Sequence, residues 1–142
     1  MADAAPGAVL GFDYGRRRIG VAVGQTVTRG ASALTALRNL DAGPDWAALE
    51  ALLAEWRPTA LVVGVPYNAD GTPHDLTHEV LAFAQALGAR AKIPVHTLDE
   101  RLSSLEAAAT LRAQRGMGRR RARKEDLDAA AAAVILRDWF DL

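Results

Sequence analysis

Residues 8–25 read Ala-Val-Leu-Gly-Phe-Asp-Tyr-Gly-Arg-Arg-Arg-Ile-Gly-Val-Ala-Val-Gly-Gln. Ala8 to Tyr14 predicts a strand, Gly15 to Arg17 a turn, and Arg18 to Gln25 a second strand. In that second strand Ile19, Val21 and Val23 face one way, while Gly20, Ala22 and Gly24 face the other. The β-branched face suits a core, and the small face lets another element pack closely on the sheet. Ala31 to Leu37 predicts a third strand, so the chain opens as a meander.

Working outward, Asp41 to Trp56 has helical character. Asp45 can cap, and Trp46, Leu49, Leu52, Leu53 and Trp56 recur at helical spacing. Ala60 to Val65, ALVVGV, is the continuous apolar run of a buried parallel strand. A polar loop from Pro66 to Pro73 holds the turn signal Asp70-Gly71. Leu76, Val80, Phe83 and Leu87 then mark a helix, with Gly88 as its stop signal. Pro94 to Leu98 predicts a short strand, and Ser103 or Ser104 can cap a helix running towards Gln114. Residues 115–124 lack an apolar stripe and predict a mobile basic loop, and Glu125 to Phe140 is the final helix. Strands alternating with helices after a meander give a mixed α/β domain spanning residues 1–142, with residues 1–7 disordered.

The chain has 142 residues, half of them apolar and 24% charged, and no cysteine. Thiol nucleophiles, thiolate metal sites and disulfides are therefore excluded. No secretory signal is visible, and the longest apolar run, Ala129 to Leu136, is too short to cross a bilayer, so the cytoplasm is expected and no membrane partner. Formal net charge is zero, with 17 basic and 17 acidic residues, yet the charge is unevenly placed. Arg112, Arg115, Arg119, Arg120, Arg121, Arg123 and Lys124 form one basic stretch without an acid between them, and Arg16, Arg17 and Arg18 form another. Arginine's planar fork suits bidentate phosphate contacts, so both clusters are candidate nucleic-acid contacts.

Three acids stand where acids are costly unless solvated, paired or bound to a cation. Asp13 interrupts an apolar strand at its C-terminal end. Glu100 follows the strand Pro94 to Leu98 in the equivalent place, and ligand sites in parallel sheets lie beyond such ends. Asp128 shares a helix face with Ala131, Ala132, Ile135 and Trp139, so it heads the stripe that meets the core. Each has an ordinary alternative: Asp13 capping a turn, Glu100 pairing with Arg101, Asp128 complementing the helix dipole. Taken together, convergence near arginines points to a phosphate-handling centre. Oxygen-only ligation suits Mg²⁺ or Mn²⁺, and two such ions can activate water and stabilise a leaving oxygen in phosphodiester cleavage.

The segments Gly11-Phe12-Asp13-Tyr14-Gly15 and Arg18-Ile19-Gly20-Val21-Ala22-Val23 resemble the opening motif of the YqgF/RuvX family of Holliday-junction-resolvase-like proteins. Three further blocks resemble it in order: Val63 to Thr72, then Asp99-Glu100-Arg101-Leu102-Ser103, then Asp128 with Ala130-Ala131 and Ile135-Leu136. The resemblance implies a ribonuclease H-like fold: a five-stranded mixed sheet, order 3-2-1-4-5, strand 2 antiparallel, with helices on both faces. It also implies that Asp13, Glu100 and Asp128 are catalytic and hold the metal. Gln25 stands where family members often carry an acid, and Tyr67 where a leucine is common.

The implied function is a divalent-metal-dependent endonuclease for branched DNA or structured RNA. Holliday junctions would call for a homodimer, and maturation of the 16S rRNA 5′ end is the alternative substrate. Two other readings exist. The opening hairpin also resembles that of actin-like ATPases and sugar kinases, which need two such domains. A non-catalytic nucleic-acid-binding module is the other. Asn68, in the loop after ALVVGV, and Arg101 join the arginine clusters as candidate nucleic-acid contacts. Asp99 is a candidate hydrogen-bond partner for the site. His74 and His78 are expected to be exposed helix residues, and the three tryptophans to be core residues.

Overall fold

The computed structural model describes residues 6–102 and 124–142. The helix expected from Ser103 or Ser104 to Gln114, and the basic loop as far as Arg123, lie outside the described residues.

Strands β1 (Ala8–Tyr14), β2 (Arg18–Gln25), β3 (Ala31–Leu40), β4 (Gly43–Pro44), β5 (Ala60–Val65) and β6 (Val95–Asp99) form one sheet in the order β4-β3-β2-β1-β5-β6. The meander β1-β2-β3 is antiparallel, whereas β5 and β6 run parallel to β1. This is the expected five-strand order, with a two-residue strand added beside β3. Helices α1 (Trp46–Trp56) and α2 (Asp75–Ala91) cover one face, and α3 (Lys124–Phe140) covers the other.

The period-2 pattern of β1 and β2 decides which side chain goes where. Leu10, Phe12, Ile19 and Val21 join Leu61, Val63 and Val65 in the core under α1 and α2, against Leu49, Val80, Phe83 and Leu87. On the opposite face Val9, Ala22, Val62 and Leu98 meet Ala132, Ile135, Leu136, Trp139 and Phe140 of α3. The small face of β2 works as read. A Cβ on Gly24 would lie 2.7 Å from the Phe140 ring, and one on Gly11 of β1 2.9 Å from the Leu136 Cβ. Glycines here let an alanine-rich helix lie almost on the backbone of the sheet.

Several boundaries move, each for a local reason. β3 continues to Leu40 because Asn39, although polar, is buried with its needs met. Its side-chain amide donates to the Gly15 carbonyl at 2.8 Å, and its backbone N–H donates to the Arg17 carbonyl at 2.9 Å. The start of α1 is delayed to Trp46 by the turn and β4. Asp45 caps it as expected, accepting from the Ala48 N–H at 3.1 Å. β6 is offset by one residue, to Val95–Asp99. Gly7 exchanges backbone and side-chain hydrogen bonds with Thr26, so the ordered chain begins before β1.

Gly88 does not stop α2, which runs on to Ala91. The stop is Lys92, left-handed at φ 58°, whose N–H reaches the Gly88 carbonyl at 2.9 Å. A Cβ at Gly88 would meet Val95 Cγ2 at 3.4 Å, an ordinary contact. Gly88→Ala therefore removes unfolded-state freedom without a clash and is expected to stabilise the protein by about 0.5–1 kcal/mol. A higher urea midpoint is the expected reading; a lower one would mean that Val95 cannot yield.

Candidate active site

Along β1, Val9, Gly11 and Asp13 alternate onto the face that α3 covers. Asp13 lies at the C-terminal end of that row, half-buried. Its partner across β2 is Gly20. On its other side, one residue beyond the Phe12–Val63 pair, comes Gly64 of β5. Asp13 is thus flanked on both neighbouring strands by residues with no side chain.

The backbone of Asp128 fills the gap over Gly20, and Ile135 and Glu100 share the one over Gly64. A Cβ on Gly20 would fall 1.9 Å from the Asp128 carbonyl oxygen, so the backbone of α3 at Asp128 rests directly on β2. A Cβ on Gly64 would fall 3.0 Å from Glu100 Oε1 and 2.6 Å from Ile135 Cδ1. Glu100 reaches that place from a 3₁₀ turn, Glu100–Leu102, that begins directly after β6. Asp13, Glu100 and Asp128 consequently gather on one face, around the junction of β2, β1 and β5.

Asp128 is already engaged. Arg18 Nε donates to its Oδ2 at 2.6 Å, each side chain about a quarter exposed. Short, charge-assisted and partly shielded from water, this contact fixes the Asp128 carboxylate over the sheet. Among the described residues no group of three or more His, Asp or Glu side chains is drawn tightly enough to form a ready metal cage. The donors nevertheless fit a hard divalent cation. They are all oxygens, the donor type such a cation takes, and neither Gly20 nor Gly64 sets a side chain of its own beside Asp13.

The candidate phosphate contacts divide. Arg16 is tied to the other side of the sheet: its guanidinium forks onto Glu79 of α2, with Nη2 to Oε2 at 2.6 Å. This hydrogen-bonded pair holds the Glu79 carboxyl below the usual carboxylate range. Arg101 forks onto Asp99, with Nη2 to Oδ2 at 2.7 Å, and its guanidinium lies 5.8 Å from the Tyr67 ring centroid. Asp99, held low by that hydrogen-bonded fork, faces away from α3 and pairs with Arg101, and it is Asp99 rather than Glu100 that takes this arginine. Asn68 closes its own loop, its amide donating to the Thr72 hydroxyl at 3.0 Å. Arg17 and Lys124 are exposed, and Arg112, Arg115, Arg119, Arg120, Arg121 and Arg123 lie outside the described residues. His74 caps α2 and His78 is exposed on it.

One basic residue near the site escaped the sequence reading. Arg38 sits directly opposite Arg18 in the β2–β3 register. The signal was present: Leu37 and Asn39 are buried while Arg38 and Leu40 are exposed, so strand alternation runs three residues further than expected.

Similarity to known proteins bears on the family and the fold. A relative from Burkholderia lata, described as a candidate pre-16S rRNA nuclease, is 51% identical over 140 residues, covering 99% of this chain and 93% of its own. One of the same description from Pseudomonas putida is 47% identical over 133 residues, 94% of each chain. Among solved structures, RuvC from Thermus thermophilus in complex with a Holliday junction matches with a TM-score of 0.57 at 20% identity. That match covers 94% of this chain and 92% of RuvC, and it establishes the ribonuclease H-like fold. The sequence profile of the RuvX family, described as Holliday junction resolvase, matches residues 7–142. With that span, and relatives at about half identity over nearly the whole length, the chain belongs to the RuvX family of nucleases.

Proposed function

We propose that the protein is a divalent-metal-dependent endonuclease cleaving phosphodiester bonds in structured nucleic acid, with Asp13, Glu100 and Asp128 as its catalytic carboxylates. The observation that carries this reading is the pair of glycine gaps, Gly20 and Gly64, which bring the other two acids to either side of Asp13. Asp13, Glu100 and Asp128 would hold Mg²⁺ or Mn²⁺. Such ions supply charge neutralisation at the phosphate and lower the pKa of an attacking water. The chain's own contribution is placement: β1 and the turn after β6 fix two acids, and α3, pressed on Gly20, fixes the third.

Precursor 16S rRNA is the first substrate, supported by the descriptions of relatives at 47–51% identity. Holliday junctions are the second, supported by the family's description. On a junction two opposed strands are cut, so two copies of the chain would act together. The test is cleavage of a 5′-extended 16S rRNA precursor, a four-way DNA junction and a plain duplex, each with Mg²⁺, Mn²⁺ or EDTA. Cutting of one structured substrate, abolished by EDTA, is expected. Equal cutting of all three, or cutting that persists in EDTA, would sink the proposal.

A further inference from the structure

We infer that Arg17 and Arg38, in a cleft that Arg18 also lines, form an anion site that grips a substrate phosphodiester beside the one being cut; this rests on the nucleic-acid reading above. Arg18 and Arg38 face each other across β2 and β3. Like charges directly opposite in a sheet repel. Only Arg18 has its charge met, by Asp128. Arg38 and Arg17 form no ion pair among the described residues. The three guanidinium-bearing residues line one cleft of about 570 Å³, floored by Ala36 and Leu37 and bounded by Glu125 at the start of α3.

The cleft opens on the catalytic face. Arg18 and Gly20 alternate onto the same side of β2, and Arg38 and Ala36 are their respective partners on β3. Gly20 carries the Asp128 backbone. Crossing from β3 to β5, the face therefore presents Arg38, then Arg18 with Asp128, then Asp13, then Glu100. β3 lies two strand spacings, roughly 10 Å, from β1. Arg38 accordingly meets a neighbouring phosphate, while Arg18, held by Asp128, positions that acid. Two arginines without an ion partner among the described residues, on a cleft whose lining holds one acid, suit a phosphodiester, and a carboxylate-bearing ligand lacks the run of phosphates that would follow the face past Asp13.

Binding is measured in EDTA on the Asp13→Asn background, with single-stranded RNA and with a four-way DNA junction, across a salt series. Arg38→Ala is expected to weaken binding severalfold and to lower the log K versus log salt slope by about 1. Glu125→Gln, which removes the one acid of the cleft, should tighten binding. Arg90→Ala makes the same charge change as Arg38→Ala but on the opposite face, and its slope should equal that of the parent. With the catalytic carboxylates intact, Arg38→Ala should raise KM and leave kcat in place. Parental affinity and slope for Arg38→Ala with both nucleic acids, or weaker binding by Glu125→Gln, would overturn the cleft. A protein that binds through Arg38 yet cuts nothing would sink the nuclease reading and leave the cleft standing.

Discussion

Asp13→Asn is expected to lower cleavage at least about a thousandfold, equivalent to about 4 kcal/mol of barrier, while the protein stays folded. Asp13 is the acid at the centre: Gly20 and Gly64 flank it, and through them Asp128 and Glu100 approach. Asparagine has the same shape, so the glycine cradle and the seat of α3 are undisturbed. What is lost is one of the negative charges that would hold a cation. The melting temperature should therefore hold or rise, as it does when a charge kept for function is neutralised. Activity within tenfold of the parent would remove Asp13 from the catalytic centre. A large fall in melting temperature would mean that its role is structural.

Gly20→Ala carries the other large effect, on stability. The added Cβ would stand 1.9 Å from the Asp128 carbonyl oxygen and 2.3 Å from its carbonyl carbon. Neither atom is the end of a flexible side chain, so the turn of α3 that holds Asp128 must move. Overpacking of this severity is expected to cost about 3 kcal/mol, a melting temperature lower by roughly 10 °C. Because Asp128 rides on the displaced turn, cleavage should fall further than the unfolded fraction accounts for, even well below the transition. Calorimetry paired with cleavage rates checks both halves. A parental melting temperature would mean that α3 does not rest on Gly20.

Much of this was legible in residues 8–25. Alternation alone separated Ile19, Val21 and Val23 from Gly20, Ala22 and Gly24, and the two sets do face different helices. Burial on both faces made ALVVGV an uninterrupted apolar run, so β5 was plain. The three acids could be selected because strand ends and helical phase are local properties. What stayed hidden depends on contacts between distant segments. Asn39 reads as a loop residue until the Gly15 carbonyl supplies its partner, and with it the last residues of β3 and the position of Arg38 were missed. Arg16 and Arg18 are near neighbours, yet one is claimed by Glu79 on one side of the sheet and the other by Asp128 on the opposite side. A basic cluster in the sequence is two separate devices in space.

The seating of α3 on Gly20 also sets when the centre can exist. Arg18 and Asp128 are 110 residues apart, and Asp13 precedes both. Synthesis proceeds from the N-terminus, so β1 and its acid leave the ribosome long before the helix that completes the site. A growing or broken chain lacking α3 holds Asp13 and Glu100 but neither the third acid nor its arginine contact. If the three carboxylates act as proposed, cutting would have to wait for α3 to dock on Gly20, and a chain short of that helix would be expected to leave nucleic acid uncut.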